Sequence, residues 1–110
     1  MHDDVPLLDR DHLARQTFDD ADLAREVLAL FVGQIGKLAP AILAPGPAVA
    51  RADAAHTLKG SARGIGALRL AHLLQGIERD LRGGVEPAAE IAALPDTLAA
   101  TQSEIAPLIA

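Results

Sequence analysis

The 110-residue sequence has no cysteine, tryptophan or tyrosine, and its two phenylalanines are Phe18 and Phe31. Without cysteine it can form neither a disulfide nor a thiolate metal site, which is compatible with a reducing compartment. The scarcity of aromatic residues disfavours strands and a core built on large rings. No unbroken apolar run reaches the roughly 20 residues that span a bilayer, so no membrane segment is expected. The start, "MHDDVPLLDRD", is acidic and lacks the basic and apolar stretches of a signal peptide. These absences lead us to expect a cytoplasmic protein. An excess of positive charge is also missing. The net charge of −5 argues against general nucleic-acid binding.

What is present is alanine and leucine. Half of the residues are hydrophobic, and most of these are small or straight-chained helix formers. The length fits one domain, taken here as residues 1–110. Charge is uneven: residues 1–26 are dominated by acids, whereas residues 51–82 hold six bases (Arg51, Lys59, Arg63, Arg69, Arg79, Arg82) against Asp53, Glu78 and Asp80.

A short helix is predicted after Asp9, running to about Gln16, and Asp19 or Asp20 can cap the next. In that second helix Leu23, Val27, Leu30, Phe31, Gln34, Leu38 and Ile42 recur at three- and four-residue steps. "PGP" at 45–47 breaks the chain. A third helix is predicted over 49–64 and a fourth over 67–81, ending at the paired glycines 83–84. A fifth follows Pro87, and Pro95 should kink or divide it. Short connections make neighbours antiparallel. The expected architecture is all-α, an up-down antiparallel four-helix bundle with a short additional N-terminal helix.

Within the third helix lies "HTLKGSARGIG", residues 56–66, with three glycines in eleven positions. On a helical wheel of about 100° per residue, Ala54, Leu58, Ala62 and Ile65 form the buried stripe and His56 the opposite face. By position alone an ordinary solvated histidine accounts for it. Gly60 argues for more, because it lies one turn beyond His56, where a side chain would crowd the imidazole. Lys59 can bring a positive charge to the same space. An open imidazole beside a cation suits a histidine that carries a phosphoryl group, since the neutral ring is a nucleophile. If residues 64–66 turn an antiparallel corner, Gly64 and Gly66 permit the reversal and His56 faces Glu78. That carboxylate could fix the ring tautomer. A surface salt bridge from Glu78 to Lys59 or Arg79 is the plain alternative.

The stretch "AHTLKGSARGIGALRLAHLLQGIE", residues 55–78, closely resembles the core motif of histidine-containing phosphotransfer (HPt) domains. His56, Leu58, Lys59, Gly60, Ser61, Ala62, Ile65, Gly66, Ala67, Leu70 and Glu78 fall on matching positions, and "LALFVGQ", 28–34, looks like the preceding helix. The resemblance implies a phosphoryl-accepting His56, with Lys59 as charge partner, Gly60 as clearance and Glu78 as ring-orienting group. It also implies partners. These are the receiver domains of response regulators, which supply Mg²⁺ and catalysis, and a hybrid or separate histidine kinase. No cofactor or metal of its own is implied, nor an enzyme activity, and the expected state is a monomer. "APGPAVA", 44–50, and Pro95 depart from the family pattern.

For docking, small or apolar groups around His56 should be ringed by positive charge. The candidates are Ile35, Leu38 and Gly64, with Lys37, Arg63 and Lys59. His2 and His12 lie in the acidic N-terminus, His72 should be exposed, and no histidine pair has metal-ligand spacing. Two other readings stay open: a detached substrate domain of a chemotaxis-type kinase, and a degenerate bundle that binds partners without phosphate.

Overall fold

The computed structural model describes residues 5–110. Five helices follow in order: α1 (Arg10–Gln16), α2 (Ala21–Leu43), α3 (Ala48–Ile65), α4 (Leu68–Arg82) and α5 (Ala88–Ile109). The described residues contain no strand. The caps are local chemistry. The Asp9 carboxylate accepts from the His12 N–H, and Asp20 accepts from Asp22 and Leu23, satisfying donors that open each helix.

Helices α2, α3, α4 and α5 close a ring in which each packs on two neighbours, and α1 packs on α3. The enclosed core is aliphatic: Leu28, Ile42, Leu58, Leu70, Leu74, Ile77, Leu94 and Ile105 are fully buried. Small residues let α3 approach its neighbours closely, since Ala52, Ala55 and Ala62 are all inaccessible. Asp53 bonds Arg82, His56 meets Glu78, and Arg63 bonds Gln75. One number climbs as the other falls, so α3 and α4 run antiparallel.

Four expectations change. The buried line of α2 is Leu28, Phe31, Ile35, Ala39 and Ile42, while Leu30 is 72% exposed. The helix is apolar around most of its circumference, so spacing alone permits both lines. For the same reason α2, at 23 residues and mean hydropathy 1.5, is long and apolar enough to cross a membrane, which a count of unbroken runs misses. In this protein its buried line packs against α3 and α5. Nor does Pro95 divide α5, which continues through both Pro95 and Pro107. Pro95 is exposed and flanked by the buried anchors Leu94, Leu98, Thr101 and Ile105, which hold the helix across the missing donor.

The reversal between α3 and α4 needs one glycine, not two. Gly66 has φ 89°, and a Cβ there would lie 2.7 Å from the Asp9 carbonyl oxygen. The Asp9 N–H in turn donates to the Gly66 carbonyl at 2.8 Å, tying α1 to the corner. Gly64 remains helical with open space where a Cβ would stand.

Candidate functional site

His56 projects from the middle of α3, with 62% of its side chain exposed. Its Nδ1 lies 3.0 Å from Oε2 of Glu78 on α4. A carboxylate can only accept, so this contact places the ring proton on Nδ1 and leaves the Nε2 lone pair free. The structure therefore brings His56 and Glu78 together.

Lys59 joins them from the next turn, and its Nζ donates to Glu78 Oε1 at 2.6 Å. It does not reach freely into solvent: only 12% of the side chain is accessible, as for Glu78. The two readings of Glu78, ring partner and salt-bridge acceptor, hold at once. Arg79 pairs instead with Asp80 at 3.5 Å. Burial alone would push the Glu78 carboxyl up. Hydrogen bonds from Lys59 and Arg82, with the charges of Lys59 and His56, outweigh this and hold it at about 2.

Arg82 and Asp53 complete the cluster and were not singled out from sequence. Arg82 Nε donates to Glu78 Oε2 at 2.9 Å, and Nη2 donates to Asp53 Oδ1 at 3.1 Å. The signal was available. Arg82 stands four residues after Glu78 on one helical face, and Asp53 three before His56.

At Gly60 a Cβ would meet nothing within 4 Å. A methyl group there would not touch the imidazole, so the expectation that any side chain crowds the ring fails for alanine. A Cβ added at Gly33, Gly36 or Gly64 would likewise meet nothing within 4 Å. A groove of about 620 Å³ runs between α2 and α3, with Leu30, Gly33, Gln34, Lys37, Ser61 and Ile65 among its walls. Of the docking candidates, Lys37, Arg63 and Gly64 are exposed and Leu38 is half-buried. Ile35 is not available: it is 4% exposed because it lies on the core line of α2. Leu30, by contrast, is exposed and lines the groove. Arg63 is drawn toward α4, where its Nη2 donates to Gln75 Oε1 at 2.6 Å.

Among the other histidines, His72 is exposed on α4 and His12 is half-buried on α1, while His2 lies outside the described residues. Among the described residues no three His, Asp or Glu side chains are arranged to hold a metal ion.

Comparison with curated proteins returned no match, and neither did comparison with solved structures. The comparison with family models did: the Hpt domain model aligns with residues 12–104, from within α1 to the last turns of α5, and so spans the whole histidine cluster and the helices that build it. With the match covering most of the chain, the protein belongs to the Hpt domain family, whose members act in phosphotransfer between phosphorelay kinases and receiver domains.

Proposed function

We propose that this protein is a histidine phosphocarrier of a His–Asp phosphorelay, accepting a phosphoryl group at His56 and passing it to receiver-domain aspartates. The observation that carries this reading is the His56–Glu78 contact on an otherwise open ring. In the accepting step the Nε2 lone pair attacks the phosphorus of an aspartyl phosphate. The P–N bond forms, the P–O bond to the aspartate breaks, and the aspartate leaves as a carboxylate. The ring proton stays on Nδ1 against Glu78, which offsets the positive charge the imidazole acquires. The reverse step regenerates the free ring. Lys59 retains two donors beyond its bond to Glu78, with which it can meet phosphoryl oxygens.

The receiver supplies Mg²⁺ and the catalytic pocket, so the carrier needs neither cofactor nor metal. Its part is to present His56 on a rigid convex face. The docking face proposed is the surface around His56, with Leu30, Lys37 and Leu38 on α2, Gly64 on α3 and Arg63 on the side of α3 toward α4; Leu30 stands in place of Ile35. The ring of four helices and the short connections favour the up-down topology. A single cytoplasmic domain acting as a monomer fits this role.

The test is transfer from a phosphorylated receiver domain in the presence of Mg²⁺. The protein should gain one acid-labile, base-stable phosphate per chain. His56→Gln should gain none while keeping its helical content, because the side chain is exposed. Labelling of that variant at the parent level would move the acceptor to another residue, with His72 the next to test.

A further inference from the structure

We propose that Arg82, braced by Asp53, is a positioning residue that keeps His56 neutral and correctly oriented by holding and partly neutralising Glu78. This rests on the reading of His56 as the phosphoryl acceptor. It concerns what prepares the ring before a partner arrives.

A carboxylate beside an imidazole does two things at once. It fixes the tautomer, which favours attack from Nε2, and its charge favours the imidazolium, which has no lone pair to attack with. A lone Glu78 would bring both effects. Here Glu78 is not alone. Oε1 takes the Lys59 ammonium, and Oε2 takes the Arg82 guanidinium together with His56 Nδ1. Two cations on one carboxylate leave its oxygens where the ring needs them and reduce its pull on a proton.

Arg82 is suited to this by its second bond. The guanidinium is a rigid fork, with Nε on Glu78 and Nη2 on Asp53 of the facing helix. That bridge fixes Arg82 across the α3–α4 seam, although 43% of its side chain is exposed. Glu78, only 12% exposed, has little room to turn away once both cations hold it. The charged groups around the ring are Asp53, Lys59 and Arg63 on α3 and Glu78 and Arg82 on α4. On α2 the charge bordering the groove is Lys37, and α1 meets α3 at the far end, around Gly66. Arg63 is engaged by Gln75 and not by Glu78. Of the bases on α4, Arg82 is the one that touches the orienting carboxylate.

The magnitude can be bounded. Because Arg82 Nε and His56 Nδ1 bond the same oxygen, they lie within about 6 Å of each other. Removing a charge at about that distance in a water-like medium changes the neutral-to-imidazolium ratio about threefold.

The experiment follows the His56 ring by ¹⁵N NMR across pH in the parent protein, Arg82→Gln, Arg82→Lys and Asp53→Asn, with His72 as internal reference. In Arg82→Gln the imidazolium fraction of His56 should rise at a given pH, by about threefold in the ratio. The Nδ1–H tautomer should lose its dominance over Nε2–H. Arg82→Lys keeps the charge and should restore the titration, but it cannot span Glu78 and Asp53 and should leave the tautomer signature weakened. Asp53→Asn should weaken the tautomer signature in the same way. Transfer from a phosphorylated receiver should slow at neutral pH in Arg82→Gln and recover at higher pH, where the ring is again neutral. A purely structural Arg82 would lower stability without moving the ring titration. If Arg82→Gln titrates and tautomerises as the parent does, the proposal is wrong. The ring measurement needs no phosphate, so it decides this question even if His56 proves not to be the acceptor.

Discussion

Glu78 accepts from three donors, Lys59 at Oε1 and His56 and Arg82 at Oε2, and this has a consequence for stability that can be measured apart from transfer. Its carboxyl is held at about 2, below an ordinary 4.5, by Lys59 and Arg82 against the opposing effect of burial. A group held down in the folded state stabilises it above the unfolded value, and that contribution is lost as pH falls from about 4.5 to about 2. Glu78→Gln removes the contribution. Urea unfolding of parent and variant should therefore differ by on the order of 1–3 kcal/mol at pH 6 and converge toward pH 2. A gap that stays constant with pH would mean that the network is worth nothing as a network. How much of it was legible beforehand depends on the residue. The pairing of His56 with Glu78 follows from hairpin arithmetic, since both positions are set by one turn. The spacing of Arg82 from Glu78 and of Asp53 from His56 puts the bridge within reach, but its closing depends on rotamers of both helices. The role expected of Gly60 was too strict, because a Cβ at that position meets no atom within 4 Å, the imidazole included.

At the scale of the element, the helix ends show how chain breaks were read correctly and why what ties them together was not. Asp9, Asp20 and Gly66 are caps whose chemistry is local, so their residue types announce them. The end of α2 is different. Its last turn has no basic residue of its own, and Arg51 from α3 provides the donor. Arg51 Nε bonds the Ile42 carbonyl at 3.0 Å, and its other nitrogens hold Glu86 at 2.8 and 3.2 Å. The side chain is 8% exposed, so one guanidinium joins α2, α3 and the segment before α5. In the sequence it was one of six bases, with nothing local to set it apart. Arg51→Met keeps the aliphatic stem but strands the Ile42 carbonyl, while Glu86, 60% exposed, returns to water. The variant should lose about 1–2 kcal/mol in denaturant unfolding and transfer phosphate normally once folded. A loss below about 0.5 kcal/mol would show the clamp to be idle. The offset of the α2 core line has a related cause: where a helix is apolar on most sides, neighbours choose the buried face, and periodicity cannot.

For the whole molecule the question is how an acidic protein approaches an acidic receiver pocket. In the proposed role a net charge of −5 would oppose the approach of an acidic receiver pocket at long range. Lys37 borders the α2–α3 groove, Arg63 stands on the α4 side of α3, where it bonds Gln75, and Leu30 and Gly33 line the groove between α2 and α3. The sequence named both bases, but not that Lys37 would border the groove while Arg63 turned toward α4. The apolar part was not legible, because Leu30 and Ile35 exchange roles once α2 is rotated to its true core line. The charged and apolar contributions should separate by salt. Steering by charge accelerates encounter and is screened within about 8–10 Å at ordinary ionic strength. Apolar contact forms after encounter and is nearly insensitive to salt. Arg63→Glu should therefore slow association with a cognate receiver about threefold to tenfold at low salt, with the difference shrinking as salt is added. Leu30→Ser should leave the association rate nearly unchanged and speed dissociation by a similar factor at both salts. Stopped-flow transfer at two ionic strengths measures both. If reversal of Arg63 leaves association unchanged at low salt and Leu30→Ser leaves dissociation unchanged, receivers dock on another face of the bundle.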